Sequence, residues 1–197
     1  MAKVTDVRVL TGAALEAALD DVAALRIEVF RAFPYLYDGD LAYERDYLQA
    51  YRDSADAILV GAFDGEQLIG ASTGTPLVDH SDDFGAAFAG TGYDMADIFY
   101  CAESVLLSNY RGQGVGHRFF DLREGHAQAL GFGLVAFCAV QRPLNHPMRT
   151  ADYQSLEPFW TKRGYSKLEG AIAEFEWKDL GQKVASAKPL QFWCRHL

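Results

Sequence analysis

The stretch from Ile98 to Gly131 limits what this chain can become more than any other. It opens on an apolar run, Ile98-Phe99-Tyr100-Cys101-Ala102-Glu103-Ser104-Val105-Leu106-Leu107, which is rich in aliphatic and aromatic residues and carries a single carboxylate. Such a run reads as a buried strand. Further on, Val115, Phe119, Leu122, Ala129 and Leu130 recur at helical spacing until Gly131 stops them. Between the two lies Tyr110-Arg111-Gly112-Gln113-Gly114-Val115-Gly116-His117. The local reading is strand, glycine loop, helix. A helix that starts in such a loop leaves backbone N–H groups without partners. Those groups, with the positive end of the helix dipole, suit a phosphate or pyrophosphate. Gly112, Gly114 and Gly116 can take φ > 0 and, lacking Cβ, let phosphates approach the main chain. A tight turn that binds nothing would use the same residues.

The spacing discriminates among nucleotide loops. Gly112-x-Gly114-x-Gly116 is not the Gly-x-Gly-x-x-Gly of dinucleotide-binding turns, and no Gly-Lys-Ser/Thr follows to make a P-loop. Alone, the pattern arises by chance in about one chain in five of this length. Its place between a buried strand and an amphipathic helix is what gives it weight. It resembles the acetyl-CoA loop of the GNAT superfamily of N-acetyltransferases, where Arg/Gln-x-x-Gly-x-Gly/Ala opens the cofactor-binding helix. Arg111-Gly112-Gln113-Gly114-Val115-Gly116 fills every required position. The resemblance implies acetyl-CoA as co-substrate, with the strand backbone at Val105, Leu106 and Leu107 beside pantetheine. It also implies that Arg111, Gly112, Gln113, Gly114, Val115, Gly116 and His117 surround the phosphates.

With 197 residues, half of them hydrophobic, the chain reads as one domain over positions 1–197 with a sizeable core. No apolar run approaches the roughly 20 residues needed to span a bilayer, and the first residues lack the apolar stretch of a signal peptide. Cys101, Cys138 and Cys194 are odd in number and widely spaced, so they read as reduced core thiols of a cytoplasmic protein. A net charge of -9 speaks against nucleic acid and is compatible with a cationic amine. Asp79, His80, Asp82 and Asp83 match no metal-ligand spacing, and a solvated loop or acidic rim is the reading there. No membrane, nucleic-acid or metal partner is expected, and the family reading admits a homodimer.

The rest of the chain supplies the remaining elements. A loose strand over Lys3–Leu10 precedes an amphipathic helix marked by Leu15, Ala18, Leu19, Val22, Leu25 and Val29, ending near Phe30. Asp40 can cap a second helix whose Tyr43, Tyr47 and Tyr51 share a face. Asp64-Gly65 marks a hairpin between strands over 57–63 and 67–75. A broken region, a strand over 134–140, a helix over 153–163 and strands over 171–177 and 190–194 complete the chain. This order agrees with a GNAT-like α/β (α+β) fold, a mixed and mostly antiparallel sheet flanked by helices.

Acetyl transfer needs a base, a polarised thioester and an acid for the leaving thiolate. Glu103 is the one carboxylate in the central strand, and the family often carries a base there; a salt bridge to a helix arginine such as Arg26 is the other reading. Where the family places a tyrosine acid, this chain has Trp160 in Trp160-Thr161-Lys162-Arg163-Gly164-Tyr165. Tyr153 could replace it from two turns away on the same helix face, with Asn145 and His146 as other polar groups near the reactive end. Tyr35, Tyr37 and Asp38 would line the acceptor pocket, the tyrosines as walls and the aspartate to receive the ammonium. The expected activity is acetyl-CoA-dependent N-acetylation of a primary amine of a small molecule, or of a peptide or protein amino group. The Trp160 departure leaves a non-catalytic acyl-CoA-binding or sensing domain as the alternative.

Overall fold

The computed structural model describes residues 2–197. In chain order these form β1 (Asp6–Leu10), α1 (Gly12–Phe30), α2 (Leu41–Asp53), β2 (Ile58–Asp64), β3 (Gln67–Pro76), α3 (Ser81–Phe88), β4 (Ile98–Tyr100), β5 (Ser104–Leu106), α4 (Val115–Ala129), β6 (Leu134–Val140), α5 (Glu157–Lys162), β7 (Ser166–Trp177) and β8 (Ser186–His196). The strands make one sheet in the order β1-β2-β3-β4-β6-β8-β7, with β5 also on β3. Every pairing is antiparallel except β4 with β6, which are joined through α4.

The helices cover both faces of the sheet because strand residues alternate between them. Val22, Ala23 and Leu25 of α1 and Leu48 and Tyr51 of α2 pack on Leu59, Ala71 and Val105. On the opposite face Val115, Phe119 and Phe120 of α4 meet Val60, Ala62, Ile69, Val135 and Phe137. Asp40 Oδ1 accepts the Tyr43 N–H at 2.9 Å and caps α2 as its residue type suggests. The tyrosine stripe that follows is graded rather than uniform: Tyr43 is exposed, Tyr47 half-buried and Tyr51 fully buried.

Three elements differ from the sequence reading. The run over 98–107 is not one strand. Thr75 lies opposite Tyr100 and Ser72 opposite Ser104, so four steps along 100–104 face three along β3. That extra residue is a β-bulge, and it divides the run into β4 and β5. The helix expected over 153–163 begins only at Glu157, leaving Tyr153 in the irregular segment that follows β6. The β7–β8 hairpin extends over 166–177 and 186–196, longer than the alternation suggests.

Candidate active site

The bulge creates the cleft. β4 pairs with β6 from Ile98 to Tyr100, and the Cys101 N–H still reaches the Ala136 carbonyl at 2.7 Å. Beyond it β5 stays with β3 while β6 continues with β8, so the two central strands diverge. The Leu107 N–H bonds Ile69 O and the Thr73 N–H bonds Glu103 O, which fixes the ladder's alternation. By that alternation the N–H groups of Ser104 and Leu106 point away from β3, into the opening. This is the edge that sequence assigned to pantetheine. Val105 itself is turned into the core beneath α1.

The glycine loop sits at the mouth of this opening. Gly112 and Gly114 have φ of 78° and 80°, and a Cβ built on either would meet no protein atom within 4 Å. Gly114 is the N-cap of α4 with no side-chain cap, and the first turn of α4 holds no acidic residue. Free N–H groups, open space above them and an unopposed helix dipole fit a pyrophosphate. Gly116 does not need positive φ, contrary to the sequence expectation; it lies within α4, where an added Cβ would stand in ordinary contact with Phe159 at 3.5 Å. Arg111 and His117 line the same cavity. His117 Nδ1 is 3.1 Å from an Arg163 guanidinium nitrogen, and its ring stands edge-on to Phe159. The Gln113 side chain points elsewhere, accepting from Val4 N and donating to Ala2 O, which leaves its backbone for any cofactor contact.

One cavity of about 2030 Å³ runs from this loop to the space between α1, α2 and β7. That is about twice the upper size of a typical ligand pocket, enough for two ligands end to end. Its far half is aromatic, with Phe30, Phe33, Tyr35, Tyr37, Tyr47 and Trp177 among its walls. Its floor is an ion cluster. Arg26 of α1 donates to both Glu44 of α2 and Glu103 beside the bulge, the latter at 2.7 Å, and Tyr47 OH donates to Glu103 at 3.2 Å. Burial would lower the Arg26 pKa, but Glu103, Tyr47 and Glu44 hold it well above its ordinary value. Burial and the Glu103 charge push the Tyr47 phenol well up. Two carboxylates share one guanidinium here, and the second oxygen of each, Glu44 Oε1 and Glu103 Oε1, is buried without a donor. The salt-bridge reading of Glu103 is therefore present in the structure.

The other expected residues are distributed unevenly. Tyr35 stacks on Trp177 and packs on Phe30, and Tyr37 lies along the same wall. Asp38 is at the rim with its carboxylate on Lys178 at 2.7 Å, so it is already paired. Tyr153 lines the cavity, its ring edge-on to Phe33 at 4.7 Å, and burial raises its pKa. It shares no helix face with Trp160, which packs between Phe137 and Trp193. Asn145 and His146 lie outside the cavity lining. In the acidic stretch Asp79, Asp82 and Asp83 are exposed, with Asp83 on the cavity lining, whereas His80 is buried against Tyr51, Phe84 and Tyr100 and lines the cavity, its Nε2 without a partner among the described residues. Sequence reasoning also missed Glu44. Its signal was Arg26, a cation on the buried stripe of α1 that has to find carboxylates.

Cys101 and Cys138 are free and buried, and burial pushes their thiols up to about 11 and about 12, which removes them as nucleophiles near neutrality. Among the described residues no group of three or more His, Cys, Asp or Glu could hold a metal ion, and no helix is long and apolar enough to cross a membrane.

A strand that leaves its neighbour over an uncapped glycine-loop helix, with an aromatic chamber beyond, is an arrangement suited to acyl-CoA-dependent acyl transfer. The chain belongs to the GNAT acetyltransferase family, whose model matches residues 22–165. It is an N-acetyltransferase, and acetyl-CoA is its co-substrate. No curated protein matches its sequence. Solved structures similar to it include a ribosomal-protein-alanine N-acetyltransferase from Brucella melitensis, 14% identical with a TM-score of 0.61 over 98% of this chain and 99% of that one. The yncA protein of Salmonella typhimurium, solved with its cofactor acetyl-CoA, is 9% identical, with a TM-score of 0.59 over 98% and 93%. A GCN5-related N-acetyltransferase from Kribbella flavida is 15% identical, with a TM-score of 0.58 over 98% and 97%.

Gly114→Val is expected to weaken CoA binding at least about tenfold, measured by calorimetry, because it strains the φ of 80° and fills the space a phosphate needs. Gly131→Val, at the other end of α4 with φ of 92°, makes the same backbone demand and is expected to leave CoA affinity unchanged.

Proposed function

We propose that the enzyme acetylates the primary amine of a small molecule that has an apolar or aromatic body and no carboxylate beside the amine. The observation that carries this reading is the aromatic acceptor end of the cavity, one wall of which is tied down, over an acid-rich floor. The segment between α1 and α2 is tied to the end of β7: Asp38 N donates to Lys178 O, Leu180 N to Leu36 O, and Trp177 Nε1 to Tyr35 O. Arg142 adds bonds of 2.8 Å to Pro34 O and Tyr35 O and a bidentate pair with Asp179. A wall fastened in this way suits a compact acceptor better than an extended polypeptide, which would need it to move aside. Its floor carries one carboxylate more than cations, which favours an ammonium and disfavours an anion. A carboxylate one carbon from the amine would lie about 4 Å from that floor, a repulsion of more than about 1 kcal/mol.

In this reading the amine's N–C bond forms as the thioester's C–S bond breaks. Glu103, which lines the cavity, takes a proton from the incoming ammonium, directly or through a water. Tyr153, kept protonated by burial, is the donor to the departing thiolate, and its phenolate recovers a proton as the acylated nitrogen sheds its second one. The N–H groups of the β5 edge hold the thioester and face the carbonyl oxygen as it gains charge.

Thiol release measured over an acceptor panel tests the assignment. Phenethylamine is expected to exceed phenylalanine at least about tenfold in kcat/KM, and to exceed a peptide N-terminus. Equal or faster acetylation of the amino acid or peptide would overturn the acceptor class. Tight CoA binding with no thiol release from any amine would favour a binding or sensing role.

A further inference from the structure

Arg123 is a cation in an unusual place. It lies on α4, is 1% exposed, and sits beneath the bulge rather than on the surface. Its guanidinium donates to Thr73 O at 3.1 Å, Glu103 O at 3.0 Å, Ser104 Oγ at 2.8 Å and Phe119 O at 3.3 Å. All of these partners are neutral, and among the described residues no carboxylate pairs with it. A buried charge without a counter-ion is costly, so packing alone is a poor reason to keep an arginine there. Nor are the carbonyls orphans without it: Thr73 O already accepts from Ala102 N, and Glu103 O from Thr73 N. The charge is surplus to the bulge's own hydrogen bonding.

Its position gives it a use. Glu103 O and Ser104 N–H belong to one peptide group. Arg123 pulls on the carbonyl end, and the N–H end points into the opening where the thioester is held. A cation on the oxygen of an amide makes its N–H a stronger donor, because hydrogen bonds in a chain polarise one another where the dielectric is low. We propose that Arg123 is a positioning residue for acetyl transfer: it polarises the Glu103–Ser104 peptide so that Ser104 N–H stabilises negative charge on the thioester carbonyl oxygen. The guanidinium is a fixed positive charge under the strand, on the face opposite the Arg26–Glu44–Glu103 cluster. No reorganisation is needed when the charge develops.

The test separates polarisation from scaffolding. The infrared stretch of carbonyl-labelled acetyl-CoA, bound without acceptor, is expected to fall in the wild type relative to water. In Arg123→Met that shift should shrink, with kcat lowered about tenfold and the Kd for CoA changed less than about twofold. Ser104→Ala removes only the hydroxyl branch and should keep the shift. Arg123→Lys retains the charge with fewer donors, and an intermediate shift is expected even if the methionine variant folds poorly. An unchanged carbonyl stretch in folded Arg123→Met or Arg123→Lys would overturn the proposal. So would parallel losses of CoA affinity and kcat, which would mean that Arg123 only holds the bulge in shape.

Discussion

Arg26→Met is expected to destabilise the protein by about 3–5 kcal/mol near neutral pH, the usual cost of breaking a buried ion pair from one side. Among the described residues Arg26 is the one cation bonded to Glu44 and Glu103, and both carboxylates are buried. Without it each must stay charged in a dry site or take up a proton to fold. The pH dependence follows from that choice. In the wild type Arg26 has a folded pKa well above its ordinary value, so its contribution is fully present below that ordinary value and is lost only as pH rises through the folded one. Between pH 5 and 8 it should be flat. In the variant two buried negative charges have lost their counter-ion, so the penalty of folding eases as pH falls. Melting curves from pH 8 to 5 should show the gap between variant and wild type closing. A constant gap would mean that the cluster is not a charge cluster in solution.

The site and the fold differ in how far the sequence discloses them. The glycine loop, the hairpin at Asp64-Gly65, the Asp40 cap and the strand over 134–140 are local, and each rests on a residue type with a specific backbone requirement. The bulge between Tyr100 and Ser104 is not local in that sense. Both faces of the strand are covered, so its residues show no alternation that an extra residue could interrupt. Tyr153, Leu156 and Phe159 have helical spacing, but only an isolated turn, closed by Tyr153 N on Thr150 O, precedes α5, and 153–155 are irregular. Glu44 is one charge among several on a polar helix, yet it is fully buried. Arg26 and Arg123 were the available signals. Each is an arginine at a core position of its helix periodicity, beside Val22 and Leu25 in one case and Phe119 and Ala127 in the other. A cation on a buried stripe has to end on acceptors, and following that requirement would have led to both the floor of the cavity and the bulge.

Glu103→Gln is expected to lower kcat about a hundredfold, the lower end of what a general base contributes, with acetyl-CoA affinity unchanged. The ion pair does not make this a test of stability in disguise. The cluster has two carboxylates and one guanidinium, so removing the Glu103 charge leaves Arg26 and Glu44 as a balanced pair. Glutamine keeps the shape and can still accept from Tyr47 and Arg26, so the melting temperature should move little. Glu44→Gln makes the same charge change one helix away from the bulge and should spare most of kcat. With no base at position 103, only acceptor already deprotonated in solution can react. The variant's rate should therefore climb with pH toward the amine's own pKa, near about 10 for an alkylamine, and the gap from wild type should narrow as it does. Equal rate losses in Glu103→Gln and Glu44→Gln would show that the floor acts by its net charge. A Glu103→Gln enzyme that turns over normally but melts early would leave Glu103 only the structural pairing with Arg26, and the amine would reach the thioester already neutral.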